Sequence, residues 1–155
     1  MMLNTHATVM GFDFGEKRIG VAVGNLAIGV AAAVTTIQAE SNVDRLTAIA
    51  ALVHEWQPQQ FVVGAPTHLN GEAHEMTNLV RKFTNRLTEN FKIPVALVDE
   101  YLSSAAAASA LTKRGIRGRQ QKLTIDAVAA QVILQAWFDD PDNRNQQTQK
   151  GKHAA

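Results

Sequence analysis

The connections at the start of this chain leave room for one kind of strand pairing. Ala7 to Phe14 is an apolar run that leads into Gly15, and Arg18 to Gly24 is apolar again. Gly15-Glu16-Lys17 separates the two runs and predicts a tight turn. Gly29 to Ile37, rich in Val, Thr and Ala, reads as a third strand. A parallel crossover needs about a dozen residues or more. Neither connection is that long, so an antiparallel three-stranded meander is expected.

The apolar period then changes. Val43, Leu46, Ile49, Ala50, Val53 and Trp56 recur at three and four residues, as on one face of a helix, and Pro58 stops it. Phe61 to Val63 forms a short buried strand ending at Gly64. Met76, Leu79, Val80, Phe83 and Leu87 mark a second amphipathic helix. Pro94 to Val98 is continuously apolar, as expected for a strand covered on both faces. Ser103 or Ser104 can cap an alanine-rich helix running to about Lys113, followed by a loop containing Gly and Arg. Ile125, Val128, Ala129, Val132, Ile133, Ala136 and Trp137 predict a last helix. The order β-β-β-α-β-α-β-α-α predicts an α/β fold: a mixed five-stranded sheet with helices on both faces. Residues 1–140 read as one domain, and the polar stretch 141–155 as a disordered tail.

Composition removes several classes of function. There are no cysteines, which excludes a disulfide scaffold, a thiolate zinc site and a cysteine nucleophile. No signal peptide opens the chain and no apolar stretch is long enough to span a bilayer, so a cytoplasmic protein is expected, with no membrane partner. The net charge of +1 is uninformative, but its distribution is not. Lys113, Arg114, Arg117, Arg119 and Lys122, a third of the 15 cations, fall in a stretch without any acid. A local patch of this kind is what a phosphate backbone responds to.

The acids that draw attention are scattered along the chain. Asp13 lies in Gly-Phe-Asp-Phe-Gly at the end of the first strand, where an ionised group between two Phe residues needs a partner. Backbone N–H groups of the following turn are one such partner. Asp99 and Glu100 end the strand after Val98, and alternation points them to opposite faces, so only one can readily meet Asp13. Asp126 is placed in the first turn of the last helix, where the helix dipole favours an acid in any case. In combination these positions suggest more. Ligands gather at the carboxyl ends of parallel strands in open sheets. A helix packed over that edge can bring Asp126 there. Three gathered carboxylates repel one another, and a hard divalent cation, Mg2+ or Mn2+, relieves the repulsion. Such a site suits phosphodiester hydrolysis. Asp-Phe-Gly also occurs in protein kinases, but this chain is too short and lacks their glycine-rich loop. The first motif also resembles the phosphate loop of actin-like ATPases and sugar kinases, which use two such domains.

Four segments, in order, carry a family resemblance: residues 11–24 (GFDFGEKRIGVAVG), 62–66 (VVGAP) with Asn70-Gly71, 98–100 (VDE) and 125–134 (IDAVAAQVIL). Together they resemble the YqgF family, also called RuvX, associated with processing of the pre-16S rRNA and with Holliday-junction resolution. The resemblance covers most of residues 8–138. It implies a ribonuclease H-like fold, and it implies that Asp13, Glu100 and Asp126 are the catalytic and metal-binding acids, with Glu100 rather than Asp99 as the third. By resemblance the activity is trimming of the 5′ end of the small-subunit rRNA precursor. The chain departs from the family at Tyr101, where Arg usually follows the Asp-Glu pair. Tyr cannot supply that charge, but its ring can stack on an unpaired base.

The basic residues 113–122, with Gly115 and Gly118 among them, suggest a mobile flap that closes on phosphates beside Asp126; an ordinary solvated loop is the alternative. Lys17 and Arg18 follow Asp13 and can also meet phosphate, or simply belong to a solvated hairpin turn. His68 and His74 read as surface residues. The expected partner is nucleic acid, as structured or precursor rRNA or branched DNA. A junction resolvase requires a homodimer, because two symmetric cuts need two sites; an RNA nuclease can act as a monomer. A binding factor with impaired catalysis is the reading that Tyr101 motivates.

Overall fold

A computed structural model describes residues 7–65, 71–99 and 118–140. Strands β1 (Thr8–Phe14), β2 (Arg18–Asn25) and β3 (Ala31–Gln38) come first, then helix α1 (Asn42–Trp56) and strand β4 (Gln60–Ala65). Helix α2 (Gly71–Phe91), strand β5 (Val95–Asp99) and helix α3 (Gly118–Asp139) follow. The expected helix at 103–113 and the tail at 141–155 lie outside the described residues.

The five strands form one sheet in the order β3-β2-β1-β4-β5. β1 pairs antiparallel with β2, and β2 with β3, which is the meander. β4 and β5 run parallel to β1. The sheet is therefore mixed, and β1 is its central strand. On one face, Met10, Phe12, Phe14, Ile19 and Val21 pack with Ile49 of α1 and Val80, Phe83 and Leu87 of α2. Phe12 meets Phe61 and Phe83 edge to face, with ring centroids 5.4 and 5.7 Å apart, the geometry the ring quadrupoles favour. On the other face, Val9, Ala22, Val62 and Ala96 pack against Ala130, Ile133, Leu134, Trp137 and Phe138 of α3.

α1 shows the clearest difference from the sequence reading. Ser41 caps it by accepting from the Asp44 N–H at 3.1 Å. Gln57 ends it in the left-handed region (φ 52°), and Pro58 follows. Its buried side overlaps the stripe expected from periodicity at Ile49 and Val53 but is shifted from it. Val43 is 74% exposed and Trp56 half-exposed, while Arg45, Ala48, Ile49, Leu52 and Val53 face inward. On this inward side Arg45 reaches the backbone carbonyls of Ala39, Gly15 and Glu16, outside the strands. β5 also departs from expectation: Ala96 is buried, but Leu97 is 57% exposed, since β5 lies at one end of the described sheet.

α3 starts at Gly118, earlier than expected. Arg119 and Lys122 therefore belong to a helix and not to a loop. Arg119-Gln120-Gln121-Lys122-Leu123 are all good helix formers, and a search for apolar period passes over them. The far end of α3 is tied to β3 by side-chain amides. Gln131 Nε2 donates to the Ala31 carbonyl at 3.0 Å. The Ala31 N–H donates to Gln135 Oε1 at 2.9 Å, and Gln135 Nε2 donates to the Gly29 carbonyl at 2.9 Å.

Candidate active site

The site begins with small residues. Side chains alternate between faces along a strand, and on β1 and β2 the positions under α3 are Gly11, Asp13, Arg18, Gly20, Ala22 and Gly24. The assignment follows from close approaches. A Cβ at Gly11 would meet Leu134, one at Gly24 would meet Phe138, and one at Gly20 would fall on the Asp126 carbonyl oxygen. The absence of side chains at Gly11, Gly20 and Gly24 lets α3 lie directly on the strands.

The same packing fixes the direction of α3. Asp126 sits over Gly20 and Phe138 over Gly24, so the helix runs alongside β2 in the same sense. Its Asp126 end lies at the carboxyl end of β1, and Asp13 is the direct cross-strand partner of Gly20. Asp13 and Asp126 are thereby brought to one face and one end of the sheet. Both are partly buried. The first-turn position expected for Asp126 is corrected: it is the ninth residue of α3, and the first turn contains no acid. The helix dipole therefore does not account for it.

Asp126 has a different partner. Arg18 Nε donates to Asp126 Oδ2 at 2.6 Å, with side-chain exposures of 35% and 19%. This is a short charge-assisted bond across 108 positions of sequence, and nothing in the sequence announces it. Arg18 is the first residue of β2, on the row of Gly20. One of the cations expected to meet phosphate is thus held against one of the acids.

Glu100 lies just outside the described residues, after Asp99, the last residue of β5. On β5, Ala96 and Val98 pack on the α3 side. β5 is parallel to β1, with β4 between them, so the three strands end at the same edge. Among the described residues no group of three His, Cys, Asp or Glu side chains gathers. The oxygen donors of Asp13 and Asp126 are of the hard kind that Mg2+ and Mn2+ prefer, and this donor set fits such an ion.

The turn that follows Asp13 is held from the opposite face. Arg45 is 5% exposed. Its Nε donates to the Ala39 carbonyl at 2.6 Å, and its Nη2 to the carbonyls of Gly15 (2.9 Å) and Glu16. Its guanidinium stacks 5.4 Å from the Phe14 ring centroid. Burial pushes the Arg45 pKa below its usual value; Glu40 and Glu16 oppose that shift and Arg86 adds to it. Arg45 thus fixes the Gly15-Glu16-Lys17 turn, and with it the end of β1. The sequence reading missed it, although Arg45, Ala48, Ile49 and Leu52 have the spacing of one helix face.

Of the other expected nucleic-acid contacts, Lys17 is exposed at the turn tip, and Arg119 and Lys122 lie on the first two turns of α3. Tyr101, Lys113, Arg114 and Arg117 lie outside the described residues. No described helix is long and apolar enough to cross a membrane.

Comparison with known proteins agrees with this architecture. Residues 7–140 match the profile of the RuvX family, described as "Holliday junction resolvase". A relative from Methylobacillus flagellatus is 54% identical over 136 residues, covering 88% of this chain and 93% of the relative. Another from Dechloromonas aromatica is 54% identical over 134 residues, covering 86% and 92%. Both carry the name "Putative pre-16S rRNA nuclease". Among solved structures, the Thermus thermophilus RuvC bound to a Holliday junction substrate superposes with a TM-score of 0.53 at 17% identity, covering 86% of this chain and 94% of that one. The fold is thus ribonuclease H-like, as that of the RuvC resolvases is.

Proposed function

This chain belongs to the RuvX family and is a nuclease by that membership, and we propose that it cleaves phosphodiester bonds of pre-16S rRNA, at the 5′ end, with a divalent metal ion. The observation that carries the reading is the seating of α3 on Gly20, which sets Asp126 over the cross-strand partner of Asp13. Glu100 completes the acidic set. It lies outside the described residues and is taken as the third acid because it follows Val98-Asp99 in the segment that carries the family resemblance. Asp13, Glu100 and Asp126 would hold Mg2+ or Mn2+. The ion, when bound, supplies activation of water and charge neutralisation at the leaving oxygen.

The chain's own residues do the rest. Asp13 is held in place by the Arg45-fixed turn beyond it, and Asp126 by the seating of its main chain. Lys17 at the turn tip, with Lys113, Arg114, Arg117, Arg119 and Lys122, would bind the phosphate backbone, and Tyr101 would stack on an unpaired base. The names of relatives sharing 54% identity over most of both chains support precursor rRNA as the substrate, and from such a substrate we infer a cytoplasmic protein.

The test is to incubate the purified protein with labelled precursor RNA and with four-way junction DNA, each with and without Mn2+. Metal-dependent cleavage of the RNA is expected. Cleavage of the junction alone, by a homodimer in paired symmetric cuts, would replace this reading with the resolvase activity in the family's description. Tight binding of RNA without cleavage would make the protein a binding factor.

A further inference from the structure

We propose that Arg18 is an exchangeable counter-ion of the active site: it neutralises Asp126 while the metal is absent, and turns to the substrate phosphate when the metal takes that carboxylate. The inference rests on the reading of Asp126 as a metal ligand given above. It adds a positioning role for a residue outside the acidic set.

Three observations lead to it. First, Arg18 and Asp126 are bonded at 2.6 Å through Nε and Oδ2. An oxygen engaged this closely by a guanidinium is not at the same time a good donor to a cation, so the two compete. Second, the pair is only partly buried, with Arg18 35% exposed and Asp126 19%. The arginine therefore has solvent on one side and can leave without crossing packed core. Third, Arg18 starts β2 on the same face as Gly20, the cross-strand partner of Asp13. Released from Asp126, a side chain of this reach stays beside both acids. A planar fork of donors beside a site for a phosphodiester is suited to the non-bridging oxygens.

The physical sense of the arrangement is charge balance. Gathered acids repel one another, and Arg18 offsets that repulsion before the ion arrives. The ion then displaces a cation that the incoming phosphate can use. Metal and nucleic acid should consequently bind with positive coupling, each more tightly in the presence of the other.

The experiment measures Mn2+ binding to the full chain by titration calorimetry, without nucleic acid, for the unmodified protein, Arg18→Gln and Asp126→Asn. Single-stranded RNA binding at saturating Mn2+ is then measured across a salt series. Arg18→Gln should bind Mn2+ roughly two- to fivefold more tightly, because a partly exposed competing pair is gone. At saturating Mn2+ it should bind RNA more weakly, with the slope of log affinity against log salt flattened by roughly 0.7. A merely structural ion pair gives the opposite sign, since loosening Asp126 weakens Mn2+ binding. Unchanged or weaker Mn2+ affinity in a folded Arg18→Gln therefore overturns the exchange, provided Asp126→Asn still weakens Mn2+. If Asp126→Asn leaves Mn2+ affinity intact, the assignment of Asp126 as a ligand fails instead, and the exchange with it.

Discussion

Gly20 lies so close beneath Asp126 that a methyl group at position 20 would occupy the place of the Asp126 carbonyl oxygen. The contact is between backbone and backbone, so no side-chain rotation relieves it. Gly20→Ala must lift α3 from the strands. Overpacking of this kind costs about 1–3 kcal/mol, and the lifted segment carries Asp126. Urea denaturation should show that loss, and the single-turnover cleavage rate should fall further than a stability change alone produces. A Gly20→Ala protein of unchanged stability and rate would mean that α3 is not seated in this way.

Asp13→Asn, Glu100→Gln and Asp126→Asn should each abolish cleavage while the protein remains folded by circular dichroism. Undiminished activity in any one of them removes that residue from the site. Mutual repulsion among three acids leads one to expect that each neutral substitution raises the melting temperature of the metal-free protein. The Arg18 partnership reverses the sign for Asp126. Asp126→Asn loses a partly exposed ion pair, which costs about 0.2–1 kcal/mol, so its melting temperature should fall slightly.

Arg45→Met keeps the length of the side chain and removes its donors. The carbonyls of Ala39, Gly15 and Glu16 lose a charged partner. A loss of about 2–3 kcal/mol is expected, measurable by denaturant unfolding. Hydrogen exchange should speed up at the amides of residues 15–18 before it does elsewhere in the sheet. Uniform acceleration across all strands would show that Arg45 stabilises the whole fold and not this turn.

Neutralising Arg117, Arg119 and Lys122 should weaken binding to all RNA sequences about equally. For every phosphate that no longer meets a cation, the plot of log affinity against log salt should flatten by roughly 0.7–0.9. An unchanged slope would mean that these cations do not touch the backbone.

Where local chemistry decides the structure, the sequence is readable. The meander follows from the shortness of the Gly15-Glu16-Lys17 connection, and the end of α1 from Pro58 behind Gln57. β5 is not readable in this way: Pro94 to Val98 is apolar throughout, and only the place of β5 at one end of the described sheet leaves Leu97 exposed. Long-range chemistry is not readable either. Arg18 finds Asp126 across the whole domain, and no local pattern distinguishes it from Lys17, its exposed neighbour. The start of α3 is hidden because residues 119–122 are polar, and propensity rather than period makes them helical. Arg45 reads as a surface cation until the carbonyls of a turn 30 positions away are known to lie above it. One overlooked signal was present: Gly20, Ala22 and Gly24 alternate along β2, the trace left by a helix lying flat on a strand. Of the proposed acidic site, the strand-end places of Asp13 and of Asp99 were legible from the strand pattern. Asp126 needed the packing of α3.

The glutamine contacts at the far end of α3 give that helix a second fixed point. Gln131 and Gln135 grip the backbone of Gly29 and Ala31 much as a neighbouring strand would, while Gly20 fixes the Asp126 end. A rod clamped at two places cannot slide along its axis. Gln135 stands nine residues from Asp126, about 13 Å along the helix. The place of Asp126 over Gly20 is thus gauged at a distance, as a caliper is set by the screw at its other end, and a sequence change in the bend before β3 is expected to reach the proposed site without touching it.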